Sequence, residues 1–258
     1  MDVLSIVLII AVIILLYVVI RYVMSEPSTL SGLSSGTEMQ TISASSLSKT
    51  AEGTYASNFS YSIWFYVNDW NYAYGKPKVV FGRMSSMSNT GVVTTDVEGV
   101  SGSGPCPLVV LGAIENNLDV AVTVYPGISN NTSLTDSTNS LIHRCSVADI
   151  PIQKWNNLMV SVYGRSMDIY LQGKLVKTCV LPGIAKINDA ANVYVTPNGG
   201  FSGWTSKFQY FPYSTDPQTA WNIYQQGYGG SSFANMFGNY QVKVSFVSNG
   251  TETNSITV

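Results

Sequence analysis

Apolar residues recur at every second position through much of this chain, which is the period of β-strands. In NFSYSIWFYVNDW, Phe59, Tyr61, Ile63, Phe65 and Val67 alternate with Ser60, Ser62, Trp64 and Tyr66. Aromatic residues stand on both faces of this stretch, as suits a strand covered on two sides. The run IPIQKWNNLMVSVYGRSMDIYLQGKLVKTCVLPG keeps the same period: Leu158, Val160 and Val162 share one face, and Met167, Ile169 and Leu171 resume it after Gly164-Arg165-Ser166. Trp155 enters the first of these strands. Gln172-Gly173 supplies a tight turn into KLVKTCVL, so the segment reads as an antiparallel meander.

Further strands are expected in KVVFGRM, GVVTTDVEGV and PLVVLGAIENNLDVAVTVY, the last folding back at Asn116-Asn117. The polar stretch from Pro126 to Ser140 reads as a loop. STDPQTAWNIYQQG has the helical signature: Asp216 as N-cap, Pro217 in the first turn and Gly227 beyond the end. Ala220, Trp221 and Tyr224 would share its docking face. NYQVKVSFVSNGTETNSITV alternates again, with Val242, Val244 and Phe246 on one face, and folds around Asn249-Gly250. Many short strands separated by turns point to an all-β sandwich rather than to βαβ units.

The N-terminus breaks this rhythm. VLSIVLIIAVIILLYVVI, Val3 to Ile20, carries no charge and is long enough to cross a bilayer as a helix. It reads as a retained anchor over 1–24 rather than a signal peptide, because no basic residue precedes the apolar run and YVMSEPSTL offers no small-x-small cleavage site. Arg21, on its C-terminal side, weakly favours leaving the following domain in the cytoplasm. Residues 25–53 are rich in Ser, Thr and Gly and read as a tether, with Leu30, Leu33, Met39, Ile42 and Leu47 able to rest on a neighbour. The expected organisation is therefore an anchor over 1–24, a tether over 25–53, a sandwich over 54–230 and additional strands over 231–258.

Charged residues make up 11% of the 258 positions and the net charge is −2, which argues against a nucleic-acid partner. Cys106, Cys145 and Cys179 show no C-x-x-C pair; one disulfide plus a free thiol is conceivable, and buried reduced thiols are the simpler expectation. Sequons stand at Asn58, Asn130, Asn131 and Asn249 and matter only if the domain enters a secretory lumen.

The order of YSIWFYVNDW, LVVLGAIENNLDVAV, IPIQKWNNLMVSVYGRSMDIYLQGKLV and GGFSGWTSKFQYFPYSTDPQTAWNIYQQG resembles the concanavalin A-like lectin/glucanase superfamily, more narrowly the laminin-G-like domains. The resemblance covers about Thr54 to Gly227 and implies a two-sheet antiparallel jelly-roll sandwich that binds carbohydrate, protein or calcium. The anchor, tether and single sandwich together resemble membrane-anchored minor capsid or virion membrane proteins of large DNA viruses.

Hydrolysis of glycosides needs two carboxylates flanking the scissile bond. Asp96 and Glu98 share a strand face, but no E-x-D-x-E pattern accompanies them, and the lone His143 has no acid or nucleophile beside it in sequence. No catalytic residue and no cofactor is expected. Asp69, Asn71, Asp96 and Asp136 form no compact calcium loop, so no metal site is expected either. If the module binds sugar, Trp70, Tyr72 and Tyr74 in NDWNYAYGKPK are the candidate stacking residues, against the alternative that they cover the end of the sandwich. The leading expectation is a non-enzymatic structural protein that docks on other proteins, with a membrane-tethered lectin-like module as the alternative.

Overall fold

The computed structural model describes residues 28–47, 49, 57–85, 104–125 and 141–229, the strand residues 243–248 and 251–257, and three N-terminal residues. Those three, Ile14, Leu15 and Val18, are helical and exposed. The rest of the expected anchor lies outside the described residues, as do Asp96, Glu98, Asp136 and the sequons at Asn130, Asn131 and Asn249. Among the described residues no helix is long and apolar enough to cross a membrane.

The chain divides into two units, and residues 28–228 form the larger. In it, among the described residues, two antiparallel sheets build a β-sandwich. Its strands in chain order are β1 (Thr29–Ser31), β2 (Ser34–Ser35), β3 (Gln40–Ile42), β4 (Phe59–Asp69), β5 (Lys78–Met84), β6 (Leu108–Leu111), β7 (Asn117–Val124), β8 (Leu141–Ala148), β9 (Trp155–Tyr163), β10 (Ser166–Leu171), β11 (Lys174–Val180), β12 (Asn192–Val195) and β13 (Ser202–Phe211). One sheet runs β1-β13-β4-β9-β10-β11, with β2 also pairing to β13; the other runs β3-β12-β5-β6-β7-β8. In the second unit β14 (Lys243–Ser248) and β15 (Thr251–Thr257) pair antiparallel as a hairpin.

The core follows the alternation read in the sequence. Phe59, Tyr61, Ile63, Phe65 and Val67 of β4 pack with Leu158, Val160 and Val162 of β9 and with Met167 and Ile169 of β10 in one buried cluster between the sheets. Tyr61 sits at its aromatic centre, with ring centroids of Tyr210, Phe81, Phe59 and Phe208 at 4.9, 5.6, 5.7 and 5.9 Å. Gln172 and Gly173 both have positive φ, 55° and 71°, as a two-residue type I′ hairpin requires. A Cβ on Gly173 would stand 2.8 Å from Tyr224 Cβ and 3.1 Å from the Trp221 ring, so this turn is also where the helix rests.

That helix, Pro217–Gln225, begins as expected: the Asp216 carboxylate accepts the Thr219 amide at 2.7 Å, and this bond holds its pKa below the ordinary value. Its buried residues are Ala220 and Ile223, with Met159, Tyr170 and Phe211 beneath them. Ile223 thus takes the docking position expected of Trp221, whose ring instead meets the Gly173 turn and Tyr224.

Two features depart from the sequence reading. Part of the segment read as a tether is built into the sandwich: β1 and β2 pair with β13, β3 pairs with β12, and Ile42 and Leu47 are buried. These edge strands are two or three residues long and held by backbone hydrogen bonds, which need no hydrophobic period. The cysteines also differ, since Cys145 of β8 and Cys179 of β11 form a disulfide with Cα atoms 6.3 Å apart, leaving Cys106 as a buried thiol. β8 and β11 end their respective sheets, so the bond staples one sheet edge to the other, and Lys177 Nζ reinforces it by donating to the Ser146 carbonyl at 2.7 Å.

Candidate functional site

The sugar-binding candidates lie in the turn after β4. Trp70 points inward: it packs partly buried against the main core, its Nε1 donates to the Ile114 carbonyl at 3.2 Å, and Lys78 Nζ lies 5.0 Å from the ring centroid. Lys78 is itself held by the carbonyls of Gly112 and Ala113 at 3.3 and 3.4 Å. The Tyr72 hydroxyl donates to the Gly199 carbonyl at 3.1 Å. Tyr74 is 60% exposed. The three share one turn, with Trp70 used to close the end of the sandwich.

Asp69 accepts the Asn71 amide at 2.9 Å, an Asx turn that orders this corner. Among the described residues no group of three His, Cys, Asp or Glu side chains could hold a metal ion. His143 sits half-buried on the edge strand β8, opposite Val122.

A second aromatic group lies on the outer face of the β4 sheet. Because β4 alternates, Trp64, Tyr66 and Asn68 point away from the core that Phe65 and Val67 enter. The register places Trp204 of β13 opposite Tyr66 and Tyr66 opposite Trp155 of β9. Three aromatic residues therefore form a row across three adjacent strands, spanning about 10 Å at the usual strand spacing. A bulge at Ser202/Gly203 precedes Trp204; Gly203 has φ 154°, and a Cβ there would fall 1.8 Å from the Tyr66 carbonyl oxygen. Only glycine lets β13 approach β4 closely enough to set Trp204 beside Tyr66.

The next row on this face is Ser206, Trp64 and Asn157. It is covered: Trp64 is 4% exposed beneath Tyr224, whose ring stacks at 5.6 Å and 16°, and Tyr228 lies at 5.9 Å and 59°. Further along the face, Thr215 and Tyr213 seal Ser161 and Ser60 by hydrogen bonds, and the helix covers Met159 and Tyr170. The helix and its flanks thus cover one end of the sheet and reach as far as Trp155, on which the Tyr228 ring stacks, leaving Trp204 and Tyr66 at the other end.

Leu33, Tyr66, Asn68, Trp155 and Trp204 line an open pocket of about 450 Å³ there. Trp204 is 50% exposed and Leu33 67%. None of the described lining residues is charged. The pocket can offer apolar ring faces and an amide; among its described lining residues it has no carboxylate, nucleophile or imidazole. The sequence places Trp64 and Tyr66 on one face of the strand and Phe65 and Val67 on the other, but the row depends on the register of strands far apart in the chain.

No protein-family model and no curated protein sequence matches this chain. Among solved structures it is similar to the receptor binding domain of botulinum neurotoxin D, with 10% identity over 77% of this chain and 44% of that one and a TM-score of 0.51. The receptor binding domain of the botulinum neurotoxin C/D mosaic serotype matches at 9% identity over 67% and 37%, TM-score 0.43. The binding domain of botulinum neurotoxin DC, solved in complex with SialylT, matches at 15% over 66% and 35%, TM-score 0.45. The chain spans less than half the length of each of these structures. The likeness to the neurotoxin D domain concerns the fold: this chain is a two-sheet β-sandwich of jelly-roll type.

Proposed function

We propose that the sandwich is a non-enzymatic recognition module that holds a neutral saccharide on the Trp204 and Tyr66 end of the aromatic row. The row carries the reading. The exposed Trp204 ring and the half-buried Tyr66 ring beside it on a rigid sheet favour the apolar C–H faces of sugar rings, while the exposed Asn68 at the rim supplies hydrogen-bonding groups. The absence of charge from the described lining residues favours a neutral ligand over a sialylated or sulfated one.

The neurotoxin D domain is by name a receptor binding domain, which agrees with a recognition role on this fold. The expected docking module of a virion, anchored in a membrane, draws no support from these neighbours. The Cys145 to Cys179 bond also favours an oxidising compartment over the cytoplasm that Arg21 suggested.

Presenting the full-length chain to a glycan array tests the reading. Binding to neutral oligosaccharides that is lost in Trp204→Ala supports it. Binding confined to acidic glycans, or unaffected by Trp204→Ala, rejects it.

A further inference from the structure

Tyr228 occupies an unusual place on the aromatic face. Its ring lies parallel to that of Trp155, with centroids 4.3 Å apart and planes at 10°. Most of the ring pairs in the core are tilted or edge-on, with centroids between 4.9 and 6.2 Å. The residue is still 44% exposed. It sits in the sequence Gly227-Tyr228-Gly229-Gly230; Gly227 has φ 75°, and Gly229 faces open space. The residue's carbonyl accepts the Ser206 hydroxyl at 2.6 Å.

What lies beneath supplies an independent observation. Trp64 Nε1 and Asn157 Oδ1, a buried donor and a buried acceptor paired across β4 and β9, have no hydrogen-bond partner among the described residues. Leaving such groups unpaired is unfavourable. A saccharide hydroxyl both donates and accepts, so it matches this pair, and the Trp155 face beside them is the one that Tyr228 now fills.

We propose that Trp155, Trp64 and Asn157 form a second saccharide subsite, covered by Tyr228, which thereby sets the length of glycan the module accepts. The inference rests on the glycan reading of the open row. With Tyr228 seated, the platform ends at Tyr66 and Trp204 and holds a short saccharide. With Tyr228 displaced, it continues over Trp155, and the next sugar unit takes the ring's place and hydrogen-bonds Trp64 and Asn157.

The test uses the full-length chain as wild type, Tyr228→Ala and Tyr228→Phe, titrated with glucose, mannose and galactose oligomers of two to six units. Tyr228→Ala is expected to bind the four- to six-unit oligomers about fivefold more tightly, the worth of one aromatic stack, with disaccharide affinity unchanged. Tyr228→Phe keeps the stacked ring and is expected to match wild type. Adding Asn157→Ala to Tyr228→Ala should remove the gain without touching disaccharide binding. Short oligomers that bind all variants with no gain for long ones in Tyr228→Ala overturn this inference and leave the glycan reading intact. A gain equal for all lengths also overturns it, since Tyr228 would then cover the open row. Failure of every protein to bind any oligomer overturns the glycan reading and this inference together.

Discussion

Replacing the Cys145 and Cys179 pair by alanines tests how the sandwich is held shut. The bond joins β8 to β11, the end strands of opposite sheets, and closes a loop with a sequence separation of 34 that contains all of β9 and β10. In the chain-entropy description, closing a loop of this size in the unfolded state is worth about 4 kcal/mol. Alanine is the right replacement, because Cys145 is buried and a serine hydroxyl there would add a desolvation cost of its own. With a denaturant dependence of about 4 kcal/mol per molar in guanidinium chloride, the unfolding midpoint of Cys145→Ala/Cys179→Ala should fall by about 1 M. Wild type treated with reductant should fall to the same midpoint. The assay is equilibrium unfolding followed by tryptophan fluorescence, with thiols counted in the native and the unfolded protein. Three reactive thiols in unfolded, non-reduced wild type, together with an unchanged midpoint in the double variant, would refute the reasoning.

Two other expectations follow from the core and from the helix contact. Burial pushes the Cys106 thiol from 9.0 up to about 12, so an unfolded chain ionises it first; its contribution is full below pH 9.0 and is lost as pH rises toward 12, at about 1.4 kcal/mol per pH unit. Native protein should resist iodoacetamide at pH 8, and the alkaline decline in stability should be shallower in Cys106→Ala; rapid alkylation of native protein would contradict the burial. Gly173→Ala combines a positive φ with a Cβ 2.8 Å from Tyr224 and should cost about 1–2 kcal/mol; it should also redden tryptophan emission as the helix lifts from Trp64, and an unchanged midpoint and spectrum would show the contact to be slack.

What the sequence made legible was whatever has a local cause. The alternation in β4 and in the β9 to β11 meander reports directly which side chains meet the core, and Asp216, Pro217 and Gly227 mark the helix because caps act within a turn of the chain end they satisfy. The hairpin turn at Gln172-Gly173 is local in the same sense. Pairings between distant segments were not legible. β1, β2 and β3 are short and Ser- or Thr-containing, so they look like linker until β13 and β12 stand beside them. Cys145 and Cys179 meet because each ends a sheet on the same side, which depends on strand order and not on spacing. Trp70, Tyr72 and Tyr74 attracted notice as neighbours in sequence, yet Trp70 turns inward to Ile114 and Lys78. Trp204, Tyr66 and Trp155 become neighbours only through the register of three strands.

The most direct test of the proposed function is calorimetric titration of wild type, Trp204→Ala and Tyr66→Ala with a neutral oligosaccharide recovered from the array, at low and high salt. Trp204 is half exposed, so its truncation should leave the circular dichroism spectrum unchanged. Loss of a central aromatic contact in a binding site typically costs 2 kcal/mol or more, so affinity should fall at least tenfold in Trp204→Ala. It should fall similarly in Tyr66→Ala, and wild-type affinity should not respond to salt, because none of the described lining residues is charged. Wild-type affinity retained by both variants, or binding that weakens steeply with salt, would contradict the account.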